Sequence, residues 1–225
     1  MTATSEKPVS SSQRALRELR EKIFDGELPA GSDHLESELA DLLHMSRTPV
    51  REAVLMLESQ GLLELRPRKG VRILPVSPED MSEIYDVLTE LESLAAERAA
   101  QAGYSAEDLS QLARAIDDMD VAIANTDLDA WAEADDRFHA ELVRLGGNNR
   151  ICTIVSMMID QVRRARRTTL FMRPLPNKSN EDHRQVFQAI CKGDAKTARQ
   201  VHRLHREHAK AIIVGLLEDH RLRFL

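Results

Sequence analysis

Helical periodicity over the last two thirds of the chain is the feature that most restricts its fold. From Glu79 onward, apolar residues recur every three to four positions, and Gly, Asn or Pro residues interrupt the pattern. Because no alternating strand pattern occurs there, and because alanine is frequent and aromatic residues make up only 4%, we predict a closely packed helical bundle. Its six predicted helices are Glu79–Ala102, Ala106–Ala124, Leu128–Leu145, Asn149–Phe171, Asn180–Lys192 and Ala195–Leu217.

The preceding residues follow a different plan, three short helices and then a β-hairpin. Helices are predicted over Gln13–Asp25, between Leu35 and His44, and from a cap at Ser46 or Thr48 to Gly61. The hairpin consists of the β-like runs Leu62–Leu65 and Val71–Leu74 around the basic turn RPRKG. This order is typical of a winged helix-turn-helix, which places its third helix in the major groove of DNA. The whole chain is therefore predicted to be mainly α.

Two segments set the predicted domain limits. Residues 1–12 are polar and are expected to form a flexible tail, and the PVSP segment at 75–78 interrupts any helix. We therefore predict a winged helix-turn-helix domain at 13–75, a linker at 76–78, and an all-helical domain at 79–225.

The compartment is predicted from what the sequence lacks. No apolar run approaches the roughly 18 residues of a membrane span, and the first residues carry no pattern of an export or import signal. Cys152 and Cys191 each lie in an apolar helical pattern, which favours buried, reduced thiols over a disulfide. We expect a cytoplasmic protein without a membrane partner.

Basic residues cluster within the predicted third helix and hairpin, although the formal net charge of the chain is −6. Arg47 and Arg51 are four residues apart and share one helix face, where an arginine can bind guanine or clamp a phosphate. The alternative is an amphipathic helix whose arginines are merely solvated. Against three glutamates, the stretch 47–72 has six basic residues, Arg47, Arg51, Arg66, Arg68, Lys69 and Arg72.

The string MSRTPVREAVLMLESQGLLELRPRKGVRIL resembles the winged-helix domain of the GntR superfamily. One departure is His34 followed by Leu35, where the family usually has an aliphatic residue. Either the turn repacks by one residue or His34 is tolerated at the edge of the core, and we favour the first. The resemblance implies that double-stranded operator DNA is bound by Ser37, Arg47, Thr48, Arg51, Arg68, Lys69 and Gly70.

Four residues of the helical part have spacings that suit one metal ion. Asp135 and His139 are four residues apart and share a helix face. His183 and His205 lie at similar distances from the CKGDAK turn, roughly 15–16 Å along two antiparallel helices, so they can face each other. Three imidazoles and one carboxylate suit Zn²⁺ best, with Ni²⁺ or Mn²⁺ as alternatives. His202 and His208, one turn away on either side, are rivals for the place of His205, and ordinary structural histidines are the other interpretation.

The strings ADDRFHAELVRLGGN and EDHRQVFQAICKGDAKTA resemble the FCD ligand-binding domain of the FadR-like branch of that superfamily. The resemblance implies that Asp135, His139, His183 and His205 bind a divalent metal ion, which in turn holds the carboxylate of a small organic acid. Many members have an arginine four residues before the glutamate that matches Glu92, but this chain has Leu88. Arg166 in the run QVRRARR could take the place of that arginine in binding the effector. The alternative is that this run is simply a solvated cationic face.

These observations predict a homodimeric transcription regulator that binds DNA and is not an enzyme. By family analogy it is a repressor whose operator affinity changes when a small carboxylic acid binds. Two alternatives stay open: a regulator that responds to the metal alone, and a metalloenzyme that acts on a small acid. No general base or nucleophile motif supports the enzyme.

Overall fold

The computed structural model describes residues 10–219, which fall into two compact units on either side of the Val76–Ser77 bond. Residues 1–9 of the predicted tail lie outside the described part of the chain. The prediction of a mainly α protein, with a winged helix-turn-helix followed by a helical bundle, is confirmed. Within residues 10–219, no helix has both the length and the apolarity that crossing a bilayer requires.

The first unit contains three helices and a small antiparallel sheet. Ser10 caps α1 through a capping box with Gln13, so this helix begins two residues earlier than predicted. Val50, Val54 and Leu57 on the inner side of α3 are fully buried in the core. The elements are α1 (Ser11–Phe24), β1 (Asp33–His34), α2 (Glu36–Leu42), α3 (Arg47–Ser59), β2 (Leu63–Arg66) and β3 (Gly70–Ile73).

Strand β1 was not predicted, and it completes the sheet in the order β1-β3-β2. His34 pairs with Val71 of β3, and its Nε2 lies 2.6 Å from Ser32 Oγ, whereas the side chain of Leu35 is 48% exposed. The prediction that the turn repacks by one residue, bringing Leu35 inward, is therefore wrong. His34 itself lies half-buried at the edge of the core.

Gly70 is required where β3 passes β1. Its φ is +86°, and a Cβ added there would lie 2.3 Å from the carbonyl oxygen of His34. Only glycine fits both the backbone conformation and the close approach. Gly70 thus has a structural role that is independent of the DNA contact the resemblance implies.

The second unit contains the six predicted helices and one additional 3₁₀ turn. Helix α5 begins at Ser110 rather than Ala106, because the Ser105 amide and hydroxyl bind Asp108 Oδ2 and form a separate turn. The bounds are α4 (Pro78–Gln101), α5 (Ser110–Ala124), α6 (Leu128–Leu145), α7 (Asn149–Thr169), the 3₁₀ turn (Leu170–Met172), α8 (Asn177–Cys191) and α9 (Ala195–Asp219).

Small residues let the helices of this unit approach closely. A Cβ at Gly146 would lie 2.7 Å from the Ala95 Cβ, so the end of α6 rests directly on α4. Helix α4 packs along α9, and α8 packs on α9 through the hairpin that Gly193 closes. The prediction of two buried thiols is wrong for Cys191, which is exposed, while Cys152 is half-buried. Helices α4, α6, α8 and α9 are the elements that position the site.

Candidate metal centre and nucleic-acid interface

A group of polar side chains is buried in the middle of the helical unit, where apolar residues would be expected. Each of them is at most 5% exposed. They come from four helices, so only the folded bundle brings them together. Helix α4 supplies Glu92, α6 supplies Asp135 and His139, α8 supplies His183, and α9 supplies His202, His205 and Arg206.

The four predicted metal ligands lie next to one another. His183 Nε2 lies 3.2 Å from His205 Nε2 and 3.6 Å from Asp135 Oδ1. On the same side, His139 Nε2 lies 3.7 Å from Asp135 Oδ2. The hairpin explains the pairing of the two distal histidines: Gly193 ends α8 with φ +69°, and Asp194 accepts a bond from the Thr197 amide as α9 begins.

The chemistry of this group fits a divalent ion. Two imidazole nitrogens bound tetrahedrally to zinc lie about 3.3 Å apart, close to the 3.2 Å between His183 and His205. Burial lowers the pKa of His183 well below its usual range, and the nearby His205 lowers it further. Burial also lowers the pKa of His139 and of His205. The imidazoles are therefore neutral near pH 7, which is the form that binds metals.

Asp135 supplies the charged ligand. Burial alone would raise its pKa, but Arg166 and the surrounding histidines lower it below the usual range. Arg166 donates to Asp135 through Nη2, and its Nη1 lies 2.8 Å from Asp136 Oδ1. Arg166 points inward and is 6% exposed, so of the two interpretations left open for this run the solvated face does not hold at Arg166. Both ends of its guanidinium are already occupied by carboxylates.

Behind His139 lies a second carboxylate, Glu92. Its Oε2 is 3.0 Å from His139 Nδ1 and 3.5 Å from His202 Nε2, although neither contact has hydrogen-bond geometry. Burial raises the pKa of Glu92, but Arg206 and His139 outweigh burial and hold that pKa well below its usual range. A carboxylate that accepts a hydrogen bond from Nδ1 directs the Nε2 lone pair of a histidine toward a metal, and Glu92 lies close enough to His139 Nδ1 to take this role after a small reorientation.

A cavity of about 120 Å³ opens beside these residues. Drug-sized ligands occupy pockets of roughly 300–1,000 Å³, so this one suits a molecule of only a few carbon atoms. Its lining includes one carboxylate, Asp135, and four cationic side chains, Arg166, Arg173, Lys178 and Arg206. The cavity therefore favours a small anion.

In the first unit, the residues predicted to bind DNA lie on the surface. Arg47, Thr48 and Arg51 occupy the exposed start of α3, and Ser46 caps that helix without a side-chain bond to its amides. Within residues 10–219, no carboxylate forms a salt bridge with Arg47 or Arg51. The first turn of α3 thus offers free N–H groups and free guanidinium groups to a phosphate or a base.

The wing and α2 complete the predicted DNA-binding set. Arg68 and Lys69 form the exposed hairpin tip, Gly70 follows them, and Ser37 is half-buried in the first turn of α2. Arg66 and Arg72 belong to the same basic cluster, but each lies 3.4 Å from Asp33 within the sheet. Those two arginines stabilise the wing rather than extend its free charge.

Two sequence families match the two units. The family described as "Bacterial regulatory proteins, gntR family" matches residues 11–73, and the FCD domain matches residues 83–208, more than half of the chain. The chain belongs to the GntR family. Relatives of this GntR-family chain include named transcription regulators.

Similar proteins are known from several bacteria. An HTH-type regulator in the TAR-I ttuE-ttuC' intergenic region of Agrobacterium vitis is 42% identical over 60% of this chain and 78% of its own length. The gluconate operon transcriptional repressor of Bacillus licheniformis is 32% identical over 60% of this chain and 55% of that one. The structure of E. coli McbR/YncC superposes on this chain with a TM-score of 0.77, and the match covers 92% of this chain and 99% of that one. The two sequences are 21% identical, so the comparison shows a shared fold.

The structure adds residues to the buried group of this GntR-family chain that sequence reasoning did not assign. The sequence offered His202 only as a rival of His205, yet both side chains are buried and each belongs to a different group of possible metal ligands. One group is His139, His183 and His205, and the other is Glu92, His139 and His202. A signal for Glu92 exists in the sequence, because it is an acidic residue on the same helical stripe as Leu88, Ala95 and Ala99. No comparable sequence pattern indicates that Arg206 or Tyr85 belongs to the site.

Proposed function

We propose that this GntR-family chain is a DNA-binding repressor controlled by a divalent metal ion and a small carboxylic acid. The observation that carries the proposal is the convergence of Asp135, His139, His183 and His205 beside a small cationic cavity. Buried, neutral imidazoles together with an ionised carboxylate make a donor set for zinc, or for nickel or manganese. When bound, the ion supplies a Lewis-acidic position for a carboxylate oxygen.

The protein residues around the ion have separable tasks. Three histidines and Asp135 hold it, Arg166 keeps Asp135 ionised, and Glu92 orients His139. The helices that contribute these residues also form the core of the unit, so occupancy of the site stabilises their packing. An acid can regulate DNA binding only if it binds the DNA-competent and incompetent states with different affinity.

For DNA recognition we propose the surface formed by Ser37, Arg47, Thr48, Arg51 and the wing tip 68–70. The free guanidinium groups and helix-start amides of α3 support this assignment. We further propose that the chain acts as a homodimer, because two-fold symmetry supplies two recognition helices for a pseudo-palindromic operator.

A metal analysis combined with a thermal-shift screen of small carboxylates tests the proposal. The wild type should contain a stoichiometric divalent ion and be stabilised by at least one acid, and His183→Ala/His205→Ala should lose both properties. His44→Asn is the control, because His44 is an exposed histidine of the first unit that does not line the cavity, and asparagine tolerates its positive φ. Stabilisation by an acid that survives loss of the two buried histidines would contradict the metal-held effector.

Operator binding distinguishes the remaining possibilities. If operator affinity follows metal occupancy but ignores every acid, the ion itself is the signal. If a candidate acid is turned over while no operator is bound, the protein is a metalloenzyme and the proposal fails.

A further inference from the structure

The cationic residues that line the cavity differ in how their donors are used. Arg166 is bound by two aspartates, and Lys178 Nζ lies 2.5 Å from Asp182 Oδ1. Arg173 donates to two backbone carbonyl oxygens, at 3.3 Å and 2.6 Å. Arg206 is the exception, because its Nε and Nη2 are buried without a hydrogen-bond partner.

Glu92 balances the charge of Arg206 without using those donors. Glu92 Oε1 lies 3.4 Å from Arg206 Nη2, and the contact lacks hydrogen-bond geometry. Arg206 is only 1% exposed, so water does not replace the missing partner from the surface. A buried guanidinium with unused donors is costly unless a ligand completes it.

Tyr85, beside Arg206, is a second buried side chain whose hydrogen-bond donor has no partner. Its side chain is fully buried, its hydroxyl has no hydrogen-bond partner, and its ring centroid lies 4.7 Å from the Arg206 guanidinium carbon. Burial raises the pKa of Tyr85, so the phenol keeps its proton and can donate a hydrogen bond. Both side chains line the cavity that also reaches Asp135, His139 and His205.

We infer that Tyr85 and Arg206 form a second anion-binding subsite, and that the effector is a short dicarboxylate. This inference rests on the proposed function: one carboxylate lies on the metal ion, and the other accepts hydrogen bonds from the Tyr85 hydroxyl and the Arg206 guanidinium. A guanidinium matches the planar geometry of a carboxylate.

The charge of Arg173 strengthens the case for a dianion. Burial, together with the neighbouring Arg166, lowers the pKa of Arg173 to about 10. No carboxylate pairs with it in the described part of the chain. Arg173 is thus a cation of the cavity lining that is held only by backbone carbonyl oxygens and is available to a carboxylate of the ligand.

Calorimetric titration of the zinc-loaded protein with succinate and with butyrate tests the inference, since the two acids have equal carbon number. Wild type should bind succinate at least tenfold more tightly than butyrate. Tyr85→Phe removes one hydroxyl and should weaken succinate binding about tenfold while leaving butyrate binding unchanged. Arg206→Met should remove the preference altogether.

Tyr104→Phe is the matched control, because the Tyr104 hydroxyl already donates to the Leu145 carbonyl, 2.9 Å away, and does not line the cavity. That variant should bind both acids like the wild type. Equal binding of succinate and butyrate by the wild type, or unchanged selectivity in Tyr85→Phe, overturns the subsite and leaves the metal-held effector standing. Failure of both acids to bind while zinc stays bound overturns the subsite together with the acid-effector part of the proposed function.

Discussion

The two units keep their polar residues in opposite environments. On the first unit, Arg47 and Arg51 are exposed and have no protein partner among the described residues, so they are available to a ligand. In the helical unit, Asp135 and His183 are buried among other polar groups. Changes on the first surface should therefore alter DNA binding alone, whereas changes in the buried group should alter ligand binding and stability together.

Removal of the metal should give the largest effect and sharpen this contrast. A ligand whose free concentration is about 1,000 times its Kd stabilises the folded state by about 4 kcal/mol. For a chain of this size, that free energy corresponds to a change in Tm of roughly 8–16 °C. Chelation should lower the Tm by such an amount, measured by calorimetry. In hydrogen exchange, protection should fall in α6, α8 and α9 and be retained in α1 to α3.

The control for chelation is His183→Ala/His205→Ala, whose Tm should not respond to the chelator. An unchanged wild-type Tm after verified loss of the metal would show that these helices do not depend on the ion.

Arg51→Ala tests the exposed side of the comparison. Loss of a base or phosphate contact should weaken operator binding by about 1–3 kcal/mol. The Tm should not change, because the exposed side chain forms no ion pair with the described residues. Fluorescence anisotropy with a labelled operator measures the affinity. Arg17→Ala, an exposed arginine on α1, should bind like the wild type; equal losses in the two variants would point to general charge rather than a reading face.

Glu92→Gln tests whether a residue outside the proposed set of four ligands controls the buried centre. Replacing a carboxylate that orients a metal-binding histidine lowers metal affinity by about 10- to 100-fold, and a competition titration with a chromophoric chelator measures it. The spectrum of the Co²⁺-loaded protein should also change, a readout that a loss of stability alone would not produce. Glu97→Gln on the same helix, where Glu97 pairs with Arg199, should retain wild-type affinity.

The same contrast explains which parts could be predicted from the sequence. Helix α6 was predicted with the bounds observed, because Asp127 caps its start and Gly146 and Gly147 follow its end. Strand β1 was missed, since two residues without apolar alternation become a strand only through pairing with β3. Local signals therefore predict local structure, but not pairing that depends on a distant segment.

Within the site, residue type and spacing predicted the four ligands Asp135, His139, His183 and His205. They did not predict the residues that surround those ligands, such as Glu92 and Arg206. Three histidines lie on α9, at 202, 205 and 208, and the sequence does not determine the rotation of that helix against α4 and α8. In the structure the first two are buried and the third is exposed. Arg206 was missed because arginine is rarely buried, so nothing local indicates that it lines a cavity.

Lys69→Ala should have the smallest effect and serves to separate charge from recognition on the exposed face. The lysine lies at the tip of the wing, where its amide binds the Arg66 carbonyl but its exposed side chain forms no ion pair within the described residues. If it contacts one phosphate, its loss should weaken operator and unrelated DNA to a similar extent. The slope of log K against log salt concentration should then fall in magnitude by about 0.9. Anisotropy titrations across a salt series measure this slope, and a selective loss for the operator would instead assign Lys69 to base recognition.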